Sequence, residues 1–253
     1  MNKKTIIDSI FYPRDSFIPK DENYILISVE KNISIGARLF LIDSLAPTIL
    51  YFHGNAELAQ EYNSIAKMYN NHNINLIVAD YRGYGLSGGE PDKENLHSDA
   101  VKVFDYLLLY LKNKGYKGKV IVMGRSLGSA SACEIISKRE NGIDKCIIES
   151  GFATEYPLLD LMRINPKSIN YSLLDGFGNL SKLKKYKKPI YIIHADMDHI
   201  IPVSEAELMI EECSASKKEI FIVNGANHNN IIMMTGDTYF TKIKKFIDDE
   251  NEN

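Results

Sequence analysis

The chain has 253 residues, 45% of them hydrophobic and 25% charged, with a formal net charge of −3, values that suit one globular α/β domain large enough to bury a full core. That charge offers no electrostatic footprint for nucleic acid, so no nucleic-acid partner is expected. Three cysteines, Cys133, Cys146 and Cys213, are widely spaced and odd in number, which argues against a disulfide framework or zinc knuckle and fits a reducing compartment.

At the amino terminus Asp8 interrupts the apolar stretch behind Lys3 and Lys4, and no small-residue cleavage site follows. Asn2 excludes N-myristoylation, and the acidic tail 248–253 is no prenylation box. No apolar run approaches the ~18 residues of a membrane-spanning helix. A cytoplasmic protein without a transmembrane segment is expected.

Two β-rich stretches, 24–29 and 33–42, flank a hairpin-like turn at Glu30-Lys31-Asn32. A short apolar run without polar alternation follows at 48–52, the pattern of a buried parallel strand, with further strands read at 75–79, 119–123, 145–149, 189–194 and 219–223. Between them lie amphipathic segments read as helices at 56–73, 96–111, 126–138, 204–212 and 238–248, the second with Val101, Phe104, Leu107, Leu108 and Leu111 on one face. This alternation implies a mostly parallel, eight-stranded sheet covered by helices, in a single domain over 1–253. Residues 154–188 break the rhythm. They hold apolar Tyr156, Leu158, Leu159, Leu161, Met162 and Ile164 but no strand. That segment is either a short lid over a site or a helical crossover packed on the sheet. Its end carries Lys182, Lys184, Lys185, Lys187 and Lys188, read as a solvated loop, with a basic patch in peripheral contact with a membrane as the alternative.

The sharpest chemical signal is Gly124-Arg125-Ser126-Leu127-Gly128, placed between a strand and a helix. A serine exposed on a strained strand-to-helix turn needs neighbours without bulk two residues away on each side, and two glycines supply that. The helix behind it aims its amino-terminal amides and positive dipole end at the site. A serine hydroxyl needs a base, and the base an orienting acid. In the order Ser, acid, His, each on a loop after a strand, the chain offers Asp198 with Asp196 as its alternative, then His228. Donors for a developing oxyanion would be the main-chain N–H of Leu127 and that of Asn55, in the turn His53-Gly54-Asn55-Ala56.

Together with Asp80-Tyr81-Arg82-Gly83-Tyr84-Gly85-Leu86-Ser87, Gly225-Ala226-Asn227-His228-Asn229 and Ile10-Phe11-Tyr12-Pro13, these motifs resemble the α/β-hydrolase superfamily. Within it the chain is most similar to the small single-domain branch of depalmitoylase-like, lysophospholipase-like and carboxylesterase proteins. The resemblance implies the α/β-hydrolase fold and a serine hydrolase acting on a small-molecule acyl ester or thioester through an acyl-enzyme. No cofactor is implied, because the triad makes its own nucleophile. Asp80 and Arg82 are read as structural. The chain departs from the pattern in lacking an N-terminal cysteine cluster, and in Ala195 and Asn227 where glycine is common. A peptidase or amidase using the same triad, and a non-catalytic scaffold keeping the fold, are the alternatives.

Overall fold

The computed structural model describes residues 3–250; Asn2 and residues 251–253, which bear on terminal lipidation, lie outside them. Eight strands form one sheet: β1 (Tyr24–Glu30), β2 (Ile33–Phe40), β3 (Thr48–Phe52), β4 (Asn75–Ala79), β5 (Val120–Arg125), β6 (Lys145–Glu149), β7 (Ile190–Ala195) and β8 (Lys218–Val223). Their spatial order is β1-β2-β4-β3-β5-β6-β7-β8. β2 runs antiparallel to both its neighbours, and every pair from β4 through β8 is parallel. The mostly parallel sheet is the one expected.

Period two explains the uninterrupted apolar runs. Leu50, Phe52, Val122, Ile190 and Ile192 face one helical layer. Ile49, Tyr51, Ile121, Met123, Tyr191 and Ile193 face the other. The first layer comprises α3 (Lys93–Asn113), α4 (Gly128–Arg139) and α7 (Val203–Glu212), and the second α2 (Asn63–Asn71) and α9 (Asp237–Asp248). A short α1 (Lys3–Asp8) buries Ile6 and Ile7. Among the described residues no helix is long and apolar enough to cross a membrane.

Two helix readings are corrected. The buried face of α3 is Leu96, Ala100, Val103, Phe104, Leu107 and Leu111, so Val103 rather than Val101 points inward. The helix expected over 56–73 is confined to Asn63–Asn71, preceded by a 3₁₀ turn at Ala59–Tyr62. Ala56 has φ +58°, which an α-helix does not accommodate. The main-chain N–H groups nearby donate to side chains instead: Gly54 to Glu57 at 3.1 Å, Leu58 to Glu61 at 3.1 Å and Ala59 to Asp80 at 2.8 Å.

Residues 154–188 contain no strand, and they divide in two. α5 (Tyr156–Leu161) brings Leu158, Leu161 and Met162 to the wall of a cavity at the end of the sheet. α6 (Asn179–Leu183) packs on α4 and α7 as a crossover. Just before α5, buried Glu155 accepts from Tyr171 Oη at 2.9 Å and from the Phe177 main-chain N–H at 2.6 Å, both in the stretch that leads to α6. Three of the five lysines are separately engaged, Lys182 with Glu134, Lys184 with Glu212 and Lys188 with the carbonyl of Ile143, while Lys185 and Lys187 are exposed.

Candidate active site

β5 ends at Arg125, and α4 begins at Gly128. Between them Ser126 takes φ +49°, a left-handed conformation that costs a non-glycine residue roughly 1–3 kcal/mol and is held only by its surroundings. Both flanking glycines are required by contact. A Cβ on Gly124 would lie 2.2 Å from the carbonyl oxygen of Gly128, and one on Gly128 would lie 2.0 Å from that of Phe52. The turn is pinned to β6 by the Ser126 main-chain N–H, which donates to the Glu149 carbonyl at 2.9 Å.

The loops after β7 and β8 bring Asp198 and His228 to this turn. His228 Nε2 is 3.1 Å from Ser126 Oγ, and His228 Nδ1 is 2.7 Å from Asp198 Oδ2. All three residues are buried. Asp198 Oδ1 accepts from the main-chain N–H groups of Ile200 at 2.9 Å and Ile201 at 2.8 Å. Burial alone would push this carboxyl up, but the hydrogen bond from His228 and those from the two amides hold it below the usual carboxylate range. An ionised Asp198 is acceptor-only, so Nδ1 carries the proton and the Nε2 lone pair faces the Ser126 hydroxyl. Behind it, buried His194 donates from Nε2 to the Ile201 carbonyl at 2.8 Å, and burial keeps it below the ordinary histidine range. Asp196, the alternative acid, is exposed and accepts from the Gly225 N–H at 2.7 Å. It stabilises the histidine's loop without being paired with the ring. Ala195 and Asn227 both have negative φ, while Gly225 adopts +76°, so the two departures from glycine fall where a side chain is tolerated.

Ser126, His228, Leu127 and Asn55 line one cavity of about 470 Å³. Among the described residues neither the Leu127 nor the Asn55 main-chain N–H donates to a protein acceptor. The Asn55 side chain is fixed on both sides. Its Nδ2 donates to the Ile10 carbonyl at 2.7 Å, and its Oδ1 accepts from Tyr84 Oη at 2.7 Å and from the Tyr12 N–H at 3.0 Å. Ile10 and Tyr12 of the Ile10–Pro13 segment thus border the cavity, well before β1 starts at Tyr24. Below the turn, His53 places Nδ1 2.8 Å from the Gly54 carbonyl and Nε2 3.1 Å from Asp80 Oδ1. Burial works against the imidazolium, yet Asp80 outweighs it and raises the group. Asp80 also accepts from Tyr24 Oη at 2.7 Å, and Arg82 is paired with Asp99 and Glu30. Both residues therefore hold structure together around the site.

Apolar Phe152, Leu158, Leu161, Met162 and Ile200, from segments other than the serine turn, also line the cavity. Two charged residues that the sequence did not single out as site residues, Glu57 and Arg125, complete the lining. Burial alone would raise Glu57, but the Arg125 guanidinium beside it holds it below the usual range. Arg125 stood in plain view as the second residue of the glycine-flanked motif. Its partners did not, because they lie 68 and 103 positions away.

A family model described as serine aminopeptidase, S33, matches residues 44–167, just under half of the chain, a span that includes Ser126 but neither Asp198 nor His228. Protein bem46 of Schizosaccharomyces pombe is 28% identical over 210 residues, 82% of this chain and 69% of that protein. Alpha/beta hydrolase domain-containing protein 17B of Homo sapiens is 29% identical over 208 residues, 81% and 68% of the two chains. An esterase of Pyrococcus furiosus superposes with a TM-score of 0.71 at 16% identity, over 93% of this chain and 97% of its own. By its sheet order and these likenesses, the chain has the α/β-hydrolase fold and is similar to proteins of the α/β-hydrolase superfamily.

Proposed function

We propose that the protein is a serine hydrolase that cleaves carboxylic ester or thioester bonds of acyl substrates through an acyl-enzyme. The observation that carries this reading is the continuous relay from Ser126 Oγ to His228 Nε2 at 3.1 Å and from His228 Nδ1 to an ionised Asp198 at 2.7 Å. In this mechanism Ser126 Oγ bonds to the substrate carbonyl carbon while its proton passes to His228 Nε2. The resulting oxyanion is met by the free N–H groups of Leu127 and Asn55, each such donor being worth roughly 3 kcal/mol in the transition state. His228 returns the proton to the departing alcohol or thiol, leaving the acyl group on Ser126. Water, deprotonated by the same imidazole, then releases the acid. Asp198 keeps the imidazole in the required tautomer and stabilises the imidazolium as it forms.

The apolar wall made by Phe152, Leu158, Leu161 and Met162 supports an acyl chain on that side, stabilised by roughly 25 cal/mol per Å² of apolar surface removed from water. A peptidase reading is favoured by the description of the matching family model. Against an aminopeptidase, a free α-amino group would need an available carboxylate in the cavity. Glu57 is there, but it is already bound by Arg125, Tyr62 Oη and the Gly54 N–H. Turnover of p-nitrophenyl esters from acetyl to palmitoyl, and of matching acyl thioesters, tests the proposal. Saturable hydrolysis abolished in Ser126→Ala is expected. Faster cleavage of aminoacyl anilides than of any ester would transfer the assignment to a peptidase. A folded protein inert toward all of them would leave the non-catalytic scaffold.

A further inference from the structure

Arg125 joins the turns after β3 and β5, whose strands pair as far as Phe52 and Gly124, to the loop after β8, which pairs with neither strand. It is the last residue of β5, adjacent to Ser126, and its side chain is nearly buried between β5 and the loop after β8. Nη2 donates to the His228 main-chain carbonyl at 2.7 Å and to Asn229 Oδ1 at 3.1 Å. Nη1 is paired with Glu57 Oε1, and Nε lies 3.3 Å from Glu149 Oε1. Each carboxylate passes the connection on. Glu57 Oε2 accepts from the Gly54 N–H at 3.1 Å, in the turn that carries Asn55. Glu149 accepts from Tyr239 Oη, which anchors it to α9. A planar guanidinium with five fixed donors can hold partners in several directions at once, which an ammonium cannot.

We infer that Arg125 is a positioning residue that sets the serine, the histidine and the Asn55 turn in register with one another through the His228 carbonyl and Glu57. It touches no reacting atom in this role. The inference rests on the serine-hydrolase reading of the site. Its physical basis is that a loop displaced by about 1 Å can cost on the order of 100-fold in rate while leaving the binding surface in place. The apolar wall that would receive an acyl chain belongs to other segments, so loss of Arg125 acts on kcat rather than KM.

The test measures kcat and KM separately on one p-nitrophenyl ester for wild type, Arg125→Ala, Arg125→Lys and Ser126→Ala, with thermal unfolding of each. Arg125→Ala is expected to lose roughly 10- to 100-fold in kcat with KM within about threefold, and to recover part of the loss when free guanidinium is added. Arg125→Lys keeps the charge opposite Glu57 and Glu149 and so preserves folding, but one ammonium cannot span Glu57, Glu149 and the His228 carbonyl. It is expected to lose about tenfold in kcat without rescue by guanidinium. Wild-type kcat in folded Arg125→Lys or Arg125→Ala, with Ser126→Ala inactive, overturns the inference and leaves the hydrolase reading intact. A loss confined to KM also overturns it. Undiminished turnover in Ser126→Ala would remove the hydrolase reading and the inference together.

Discussion

Replacing Asp198 by asparagine isolates one consequence of the hydrogen-bond directions. Asp198 Oδ1 accepts two main-chain N–H groups, at 2.9 and 2.8 Å, so the amide oxygen of an asparagine must occupy that place. Its NH₂ group then takes the position of Oδ2, 2.7 Å from His228 Nδ1. Two donors cannot face each other there. The ring is driven to the tautomer with its proton on Nε2, pointing at Ser126 Oγ, 3.1 Å away, where it cannot act as a base. Restoring the active tautomer forfeits a charge-assisted bond of about 1.5–3 kcal/mol and leaves a buried donor unpaired at about 1–3 kcal/mol. A central sum of about 4 kcal/mol is a factor of about 1,000 in kcat at 1.36 kcal/mol per decade. Steady-state hydrolysis of a p-nitrophenyl ester by Asp198→Asn, with thermal unfolding to establish that the isosteric variant is folded, measures it. Asp196→Asn should stay within a few-fold of wild type, since the Asp196 carboxylate accepts from the Gly225 amide and not from the His228 ring. Asp198→Asn within tenfold of wild type would refute the reasoning, as would a thousandfold loss in Asp196→Asn.

Gly128→Ala places a Cβ 2.0 Å from the Phe52 carbonyl oxygen and should cost about 3 kcal/mol or more by forcing β3 and α4 apart. Gly88→Ala, where no atom lies within 4 Å, should shift the urea midpoint hardly at all. Met162→Trp fills the wall formed with Leu158 and Leu161, so the preferred ester should shorten by several carbons while acetyl-ester turnover persists; an unchanged chain-length profile would place the acyl group elsewhere. His97 is pushed down to about 4 by burial first and then by Lys182, against an ordinary value of 6.5. The unfolded chain therefore takes up this proton first as pH falls. The folded state should lose stability between about pH 6.5 and 4, by at most about 1.4 kcal/mol per unit. Chemical denaturation at pH 7 and pH 5 should show a smaller difference for His97→Gln than for wild type.

The strands β3 to β7 were legible because strands buried on both faces are written as short apolar runs, and the serine turn because Gly124 and Gly128 are demanded by contacts with backbone that no side chain can relieve. Non-local capture of main-chain groups was not legible. The segment 56–62 carries a helical amphipathic pattern, yet Asp80, 21 residues further on, takes the N–H of Ala59. Nothing local announces that Ala56 turns left-handed. Likewise α5 and α6 are each only five or six residues long and derive their order from tertiary packing rather than propensity. Among the candidate site residues, chain order and loop position singled out Ser126, Asp198 and His228. Asp198 was assigned ahead of Asp196 from the sequence; in the structure two residues of spacing on that loop separate the carboxylate that meets the ring from the one that meets the backbone of Gly225.

The most direct test of the account is intact-mass analysis of the protein after exposure to a fluorophosphonate probe, with peptide mapping of the adduct and Ser126→Ala in parallel. A single adduct on Ser126, absent from Ser126→Ala and formed at least a hundredfold more slowly in Asp198→Asn, is the predicted result. A folded wild-type protein that takes up no probe, or takes it up equally well without Ser126, would contradict it.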